Sequence, residues 1–193
     1  MFDFNDYSMI LIGIGEEFEK ADNALVAYNK LASILEGKNY FIVSLCMDDI
    51  IYKSNLKEDR IVTPLGGYRF KQCSMACTDD LYDVQEDLCP KCHAPLVFNN
   101  FLAENYVEAG YLPMWEKHKK WLVGTLNKSL LCLELGVSMK FPQISRCPFE
   151  RISILNNKAY FVRVNEKLPQ LNADLKGKSE SFASNSVEWL KEL

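Results

Sequence analysis

A chain of 193 residues can build one substantial core, or one core with a small satellite module. With 48% apolar residues, 25% charged residues and a net charge of -4, the composition is that of a globular protein. It carries no global field that would draw it to nucleic acid or to an anionic membrane surface, so neither partner is expected.

The apolar stretches are strand-sized, so none is expected to span a bilayer. The opening MFDFNDYSMILIG places acids, not a basic region, ahead of its apolar run and does not read as a signal peptide. A cytoplasmic location is the expectation. Tyr7 to Ile14 is a short buried run ending in Gly13-Ile14-Gly15. From Glu16 to Leu35 apolar residues recur every three or four positions (Phe18, Ala21, Leu25, Tyr28, Leu31, Ile34), which predicts a helix with one buried face, stopped by Gly37. A second buried run, Tyr40 to Leu45, follows. Strand, glycine turn, helix and strand form a βαβ unit with parallel strands.

Asp48 to Pro64 is mixed, with a helical turn or two expected among loops. Met114 to Leu126 predicts a helix bearing Trp115, His118, Trp121 and Leu122. Leu130 to Leu135 (LLCLEL) and Ala159 to Val164 (AYFVRV) predict the third and fourth strands. Between them Pro148 to Ile154 suits a short helix begun at a proline. Ser181 to Leu193 carries Phe182, Val187 and Leu190 at helical spacing and predicts a closing helix. The fold class expected is α/β: a Rossmann-like parallel sheet with flanking helices, made of residues 1–72 and 99–193, with a zinc-ribbon module inserted at 73–98.

The cysteines argue for that insertion. Of seven, four cluster as Cys73-x3-Cys77 and Cys89-Pro-Lys-Cys92, separated by eleven residues, while Cys46, Cys132 and Cys147 lie singly in apolar surroundings. In a chain without a secretory signal, two close thiol pairs point to a metal, and both spacings suit tetrahedral Zn(2+). Four protein ligands leave no open position for water, so the ion would be structural. His93, beside Cys92, reads as a surface residue.

Gly13-x-Gly15 between a strand and a helix is the first part of a dinucleotide-binding fingerprint without its third glycine. A phosphate would use the free amides at the following helix start. Glu16 and Glu17 sit there instead, where they satisfy the helix dipole and repel a pyrophosphate.

Taken together these segments resemble the sirtuin family, in order and along nearly the whole chain. Gly13-Ile14-Gly15 is similar to that family's Gly-Ala-Gly turn, and Ser44-Leu45-Cys46-Met47-Asp48 to its Thr-Gln-Asn-Ile-Asp motif. Pro64 to Cys73 resembles the Glu-Leu-His-Gly-Ser stretch that runs into the first zinc cysteine, and Cys89 to Phe98 resembles the second knuckle and the strand leaving it. Leu133 to Ser138 lies at the Gly-Thr-Ser position that contacts ribose and phosphate, and Val164-Asn165 at the strand-end asparagine that holds the adenosine ribose. The wording LxLELGV…PxxxRxPFE is closest to the bacterial sirtuins encoded beside macrodomains, a class associated with protein ADP-ribosylation. The resemblance implies NAD or ADP-ribose as ligand, held by Gly13, Gly15, Gly136, Ser138 and Asn165, and zinc held by Cys73, Cys77, Cys89 and Cys92.

The departures bear on activity. Gly66 stands where sirtuins place the histidine that acts as general base, and glycine accepts no proton. Leu45 and Cys46 replace the glutamine and asparagine that hold the nicotinamide ribose. Between Gly15 and Ser44 there is room for one helix, and the cofactor-binding loop with its Ala-Gly-Ile-Pro-Asp-Phe-Arg pattern is missing. No catalytic residue is therefore assigned. Three readings remain open: an interaction protein that binds another protein, a module binding ADP-ribose or NAD, and an NAD-dependent ADP-ribosyltransferase or deacylase using a substitute base such as Asp48, Asp49 or His118.

Overall fold

The first apolar run forms strand β1 (Met9–Ile14), buried along its whole length on both faces. A strand of that kind needs parallel neighbours on each side and helices above and below. The computed structural model, which describes residues 2–193, supplies both. After β1 come helix α1 (Ala24–Ile34), β2 (Asn39–Ser44) and the two-residue strand β3 (Ile61–Val62). An antiparallel hairpin follows, β4 (Gly66–Cys73) and β5 (Leu96–Asn100), and then α2 (Leu112–Val123) and β6 (Leu130–Leu135). The chain closes with α3 (Arg146–Leu155), β7 (Ala159–Val164), β8 (Ser179–Phe182) and α4 (Ser186–Glu192). Six strands make one sheet in the order β3-β2-β1-β6-β7-β8, every pairing parallel.

The alternation of β1 assigns the two faces. Ile10, Ile12 and Ile14 pack with Tyr28 and Leu31 of α1 and Val187 and Leu190 of α4. Met9 and Leu11 pack with Trp115 and Trp121 of α2 and Phe149 of α3. No helix among the described residues is long and apolar enough to cross a membrane.

Several boundaries differ from the sequence expectation. The helix expected from Glu16 begins only at Ala24, and Glu16–Phe18 is a separate 3-10 turn. The Glu19 carboxylate accepts the Met47 amide at 2.7 Å, and the Lys20 amide reaches Asp48 Oδ2 at 2.7 Å with Lys20 at φ 56°. These bonds to the loop after β2 hold residues 19 and 20 out of helical geometry. The closing helix starts at Ser186, capped by the Asn185 side chain, because Ser179–Phe182 is an edge strand. That strand and β3 raise the expected four strands to six.

One charged group lies in the middle of this sheet. Glu134 of β6 is fully buried and sits in register beside Arg163 of β7, also fully buried. Arg163 Nε donates to Glu134 Oε1 at 2.6 Å and its Nη2 to Oε2 at 3.1 Å, and Glu150 of α3 accepts from Nη2 at 2.8 Å. Arg146 of α3 also donates to Glu134, and to the Val137 and Leu168 carbonyls at 3.2 and 3.1 Å. Arg163 Nη1 donates to the Gln170 carbonyl. Removing one partner of a buried ion pair strands the other, at a cost of about 3–5 kcal/mol, against roughly 0–1 kcal/mol for an exposed pair. Urea denaturation is expected to show a loss of that larger size for Glu134→Ala. Lys117→Ala, which breaks the exposed 2.8 Å pair with Asp59, is expected to change stability little.

His118 of α2 is buried between the Phe41 and Trp115 rings, each 5.2 Å away, and neither ring nitrogen has a partner. Burial pushes its pKa down from 6.5 to about 4. The unfolded chain therefore takes up this proton first as pH falls. The native state keeps its full stability above about 6.5 and loses it progressively down to about 4, by on the order of 3 kcal/mol. His118→Leu is expected to flatten melting temperature against pH across that window.

Candidate functional site

In a doubly wound sheet ligands lie outside the carboxyl ends of the strands, where the strand order reverses. Here that place is between β1 and β6. The structure gathers Gly13, Gly15, Gly136, Ser138 and Asn165 at this end of the sheet. Two of the glycines answer to close approach of backbone. A side chain at Gly15 would overlap the Gly136 and Val137 backbone, and Gly136, at φ 64°, faces Glu17 and Ser186.

The donors at this end are already engaged. Glu16 accepts the Ser138 amide at 3.0 Å and the Ser138 hydroxyl at 2.8 Å. Glu17 reaches the other way, accepting the Glu166 amide at 2.8 Å and the Ser186 amide, at the start of α4, at 2.7 Å. A carboxylate at a helix start is held by the same amides and dipole that would hold a phosphate. The sequence placed these two acids on the helix that follows them. They leave it and bridge to β6, β7 and α4. Asn165 donates to the Val137 carbonyl at 2.9 Å and accepts the Lys167 and Leu168 amides at 3.1 and 2.8 Å, so it ties the turn after β7 to the turn after β6.

Next to these polar links the crevice is apolar. Leu45, Leu65 and Val137 form a buried cluster, joined by Phe101 and Phe141 with rings edge to face at 5.0 Å. The Cys46 thiol, buried, lies 3.3 Å from the Gly15 carbonyl and 3.8 Å from the Tyr28 hydroxyl, and burial raises its pKa well above the ordinary thiol value. It is a packed side chain with no thiolate to offer. Gly66 has φ 69°, and a Cβ there would overlap the Asn99 and Asn100 backbone, so a histidine does not fit without movement of β5.

A cleft of about 450 Å³, lined by both charged and apolar side chains, opens beside Gly66, between the hairpin and the sheet edge. Arg69 stands 4.0 Å from the Tyr52 ring centre and 2.6 Å from Glu58 across it. Asp49 lines the same cleft, accepts the Tyr68 amide, and has its carboxyl pKa raised by burial. Asp48 is spent on the Lys20 and Ile50 amides, and His118 lies in the core. Of the three substitute bases the sequence offered, Asp49 alone faces this cleft.

The cysteine loop hangs from the hairpin, whose strands reach back to Gly66 and on to Asn100. Left-handed residues Ala76 and His93 fold each thiol pair into a tight turn, and the His93 amide bonds the Cys89 carbonyl at 2.9 Å. The sulfurs of Cys73, Cys77, Cys89 and Cys92 all lie within 4.8 Å of one another, with Cys73–Cys92 at 3.4 Å and Cys77–Cys89 at 3.6 Å. A tetrahedral ion with bonds of about 2.3 Å needs sulfurs about 3.8 Å apart. The four residues fit a metal ion, and the imidazole of His93 is exposed outside the set.

Solved structures share this architecture. A Sir2 homologue mutant in complex with ADP-ribose superposes with a TM-score of 0.66 over 98% of this chain and 92% of its own, at 11% identity. A second such mutant complex with ADP-ribose gives 0.61 over the same shares. A third mutant, bound to 2'-O-acetyl ADP-ribose, gives 0.58 at 12% identity, over 98% of this chain and 91% of its own. The chain has a sirtuin-like fold. At such identities it is the fold that is shared. In sequence, the sirtuin-like chain is 28% identical over 162 residues to a "Protein ADP-ribosyltransferase" of Staphylococcus aureus (strain Mu50 / ATCC 700699), covering 73% of this chain and 51% of that one. The chain thus spans about half the length of the curated relative it matches. No protein-family model matches it.

Elemental analysis of the purified sirtuin-like chain is expected to find one equivalent of metal, with zinc the ion that four thiolates favour. Cys89→Ser, or chelation, is expected to lower the melting temperature. A metal-free protein that melts as sharply would overturn the assignment.

Proposed function

We propose that this sirtuin-like chain is an interaction protein stapled by zinc at Cys73, Cys77, Cys89 and Cys92, with a nucleotide crevice closed by its own side chains. It does not cleave NAD at the rate of an ordinary sirtuin. The observation that carries this is the pair of carboxylates, Glu16 and Glu17, seated on the Ser138, Glu166 and Ser186 donors. A pyrophosphate entering the switch point would have to displace two anions that already hold these groups. The chemistry is also unprovided for: Gly66 has no proton acceptor, and Leu45 and Cys46 are packed inward. Loss of a general base alone commonly costs about 10²- to 10⁴-fold.

A second reading has its own support. Glu16 and Glu17 are half-buried, so solvent gives them a way out of their bonds. The relative's name, protein ADP-ribosyltransferase, and the ADP-ribose in the structural neighbours favour a crevice that still takes ADP-ribose or NAD. Gly13, Gly15, Gly136, Ser138 and Asn165 would line it. Were the chain an NAD-dependent ADP-ribosyltransferase or deacylase, Asp49 is the acid placed to serve as base.

Titration with ADP-ribose and with NAD separates the readings. A ligand at about 100 times its Kd adds about 2.7 kcal/mol, or several degrees of melting temperature in a domain of this size. No shift is expected for the wild-type chain. Glu16→Ala with Glu17→Ala is expected to open the donors and let ADP-ribose shift the transition. A wild-type shift would favour the binding module. Nicotinamide release at a sirtuin-like rate, lost in Asp49→Asn, would overturn the proposal.

A further inference from the structure

At the opposite end of the sheet from the crevice, where α2 and α3 run out into β6 and β7, the surface is apolar and unpartnered. Val123, Leu126 and Leu155 are 68%, 70% and 72% exposed, and they rim a groove of about 540 Å³ floored by Leu122 and Ile152. The Asn156 side chain, buried behind it, bonds the Thr125 and Lys128 carbonyls at 3.2 and 3.3 Å, so the two helix ends are held as one rigid unit. Three large exposed apolar residues gathered around one concavity form a candidate contact site.

The charge around the groove identifies what would cover it. Lys120 lies one turn before Val123 on α2, and Arg151 lies one turn before Leu155 on α3. Lys128 and Lys158 follow the two helix ends. None of these four exposed cations forms an ion pair among the described residues. Lys119, on the groove wall, pairs only with its own neighbour Glu116, at 2.5 Å. Helix carboxyl ends favour cations, which accounts for one or two of them. It does not account for four such unpaired cations at or just beyond two adjoining helix ends, beside an apolar slot, in a chain whose net charge is -4.

We propose that this groove docks an amphipathic helix of a partner protein, its apolar stripe on Val123, Leu126 and Leu155 and its acidic flanks against Lys120, Lys128, Arg151 and Lys158. The concavity between two helices suits a third helix laid along it, as helix-in-groove recognition requires. A bilayer would instead call for a convex apolar face. The inference names a surface for the interaction role proposed above and rests on that role only in taking the chain to act through a partner. It does not depend on the crevice being closed.

The test uses the full chain and two labelled peptides of about 18 residues. Both are helix-forming with leucines at i, i+3, i+4 and i+7 spacing. One is flanked by glutamates and the other by lysines. Fluorescence anisotropy is expected to show the glutamate peptide binding with Kd on the order of 10 µM, at least tenfold tighter than the lysine peptide, and weakening as salt rises. Leu126→Asp and Leu155→Asp, both at exposed positions, are expected to weaken it about tenfold or more, and Arg151→Glu with Lys128→Glu severalfold, with melting temperatures unchanged. Equal binding of the two peptides, no binding of the glutamate peptide by about 200 µM, or insensitivity to these substitutions would overturn the proposal. So would a dimer in sedimentation that Leu126→Asp dissociates, since a second copy would then cover the groove. Binding to phosphatidylglycerol vesicles that Leu126→Asp abolishes would overturn it in favour of a lipid surface. Nicotinamide release measured on the same variants reports on the crevice separately.

Discussion

A carboxylate with no water around it has to be surrounded by donors, and Glu134 is such a carboxylate at the centre of the sheet. Meeting that demand organises the molecule's upper end. Arg163 comes from the neighbouring strand in register and Arg146 from the helix above, and Glu150 pairs with Arg163 as a second carboxylate. What the guanidiniums have left over goes to the carbonyls of Val137, Leu168 and Gln170. These carbonyls belong to the loops after β6 and β7, where a ligand would meet the protein. The buried charge thus sets the course of the loops from below.

From above, the same loops are held by Glu16, Glu17 and Asn165. The two sets of bonds share no donor, yet both bear on the segments at 136–138 and 165–170. The crevice is held from both sides, and Leu45, Leu65 and Val137 pack together in it. Gly66 fits the same picture. Its positive φ and the nearness of β5 serve a tight entry into the hairpin, a backbone need that a catalytic side chain would oppose. The half-exposure of both glutamates shows where such a seal would yield.

The cysteine loop, the crevice and the groove lie well apart. The cysteine loop stands on a two-stranded hairpin outside the main sheet, where a core is too small to hold a fold without a staple. The cation-rimmed groove lies at the amino ends of the strands. In doubly wound sheets ligands lie at the carboxyl ends of the strands, so a partner at the groove would leave that end free.

Much of the fold was legible in the residues because it rests on local patterns. Continuous apolar runs give strands buried on both faces, a spacing of three to four gives α1 and α2, and paired cysteines give the four-thiol cluster. Six-residue strands such as LLCLEL and AYFVRV announce themselves, whereas Ile61–Val62 and the polar SESF of β8 do not, since edge strands need little apolar surface. The lone Glu134 and Arg163, each fifth in an otherwise apolar strand, were a readable sign of a buried pair. What the sequence could not decide is where a flexible side chain ends. Glu16 and Glu17 looked like the first turn of a long helix. The bonds from Glu19 and Lys20 to the loop after β2 delay that helix and turn the two carboxylates toward β6, β7 and α4. Whether an acid caps its own helix or fills a distant crevice depends on contacts between segments more than a hundred residues apart, and only the tertiary structure sets those.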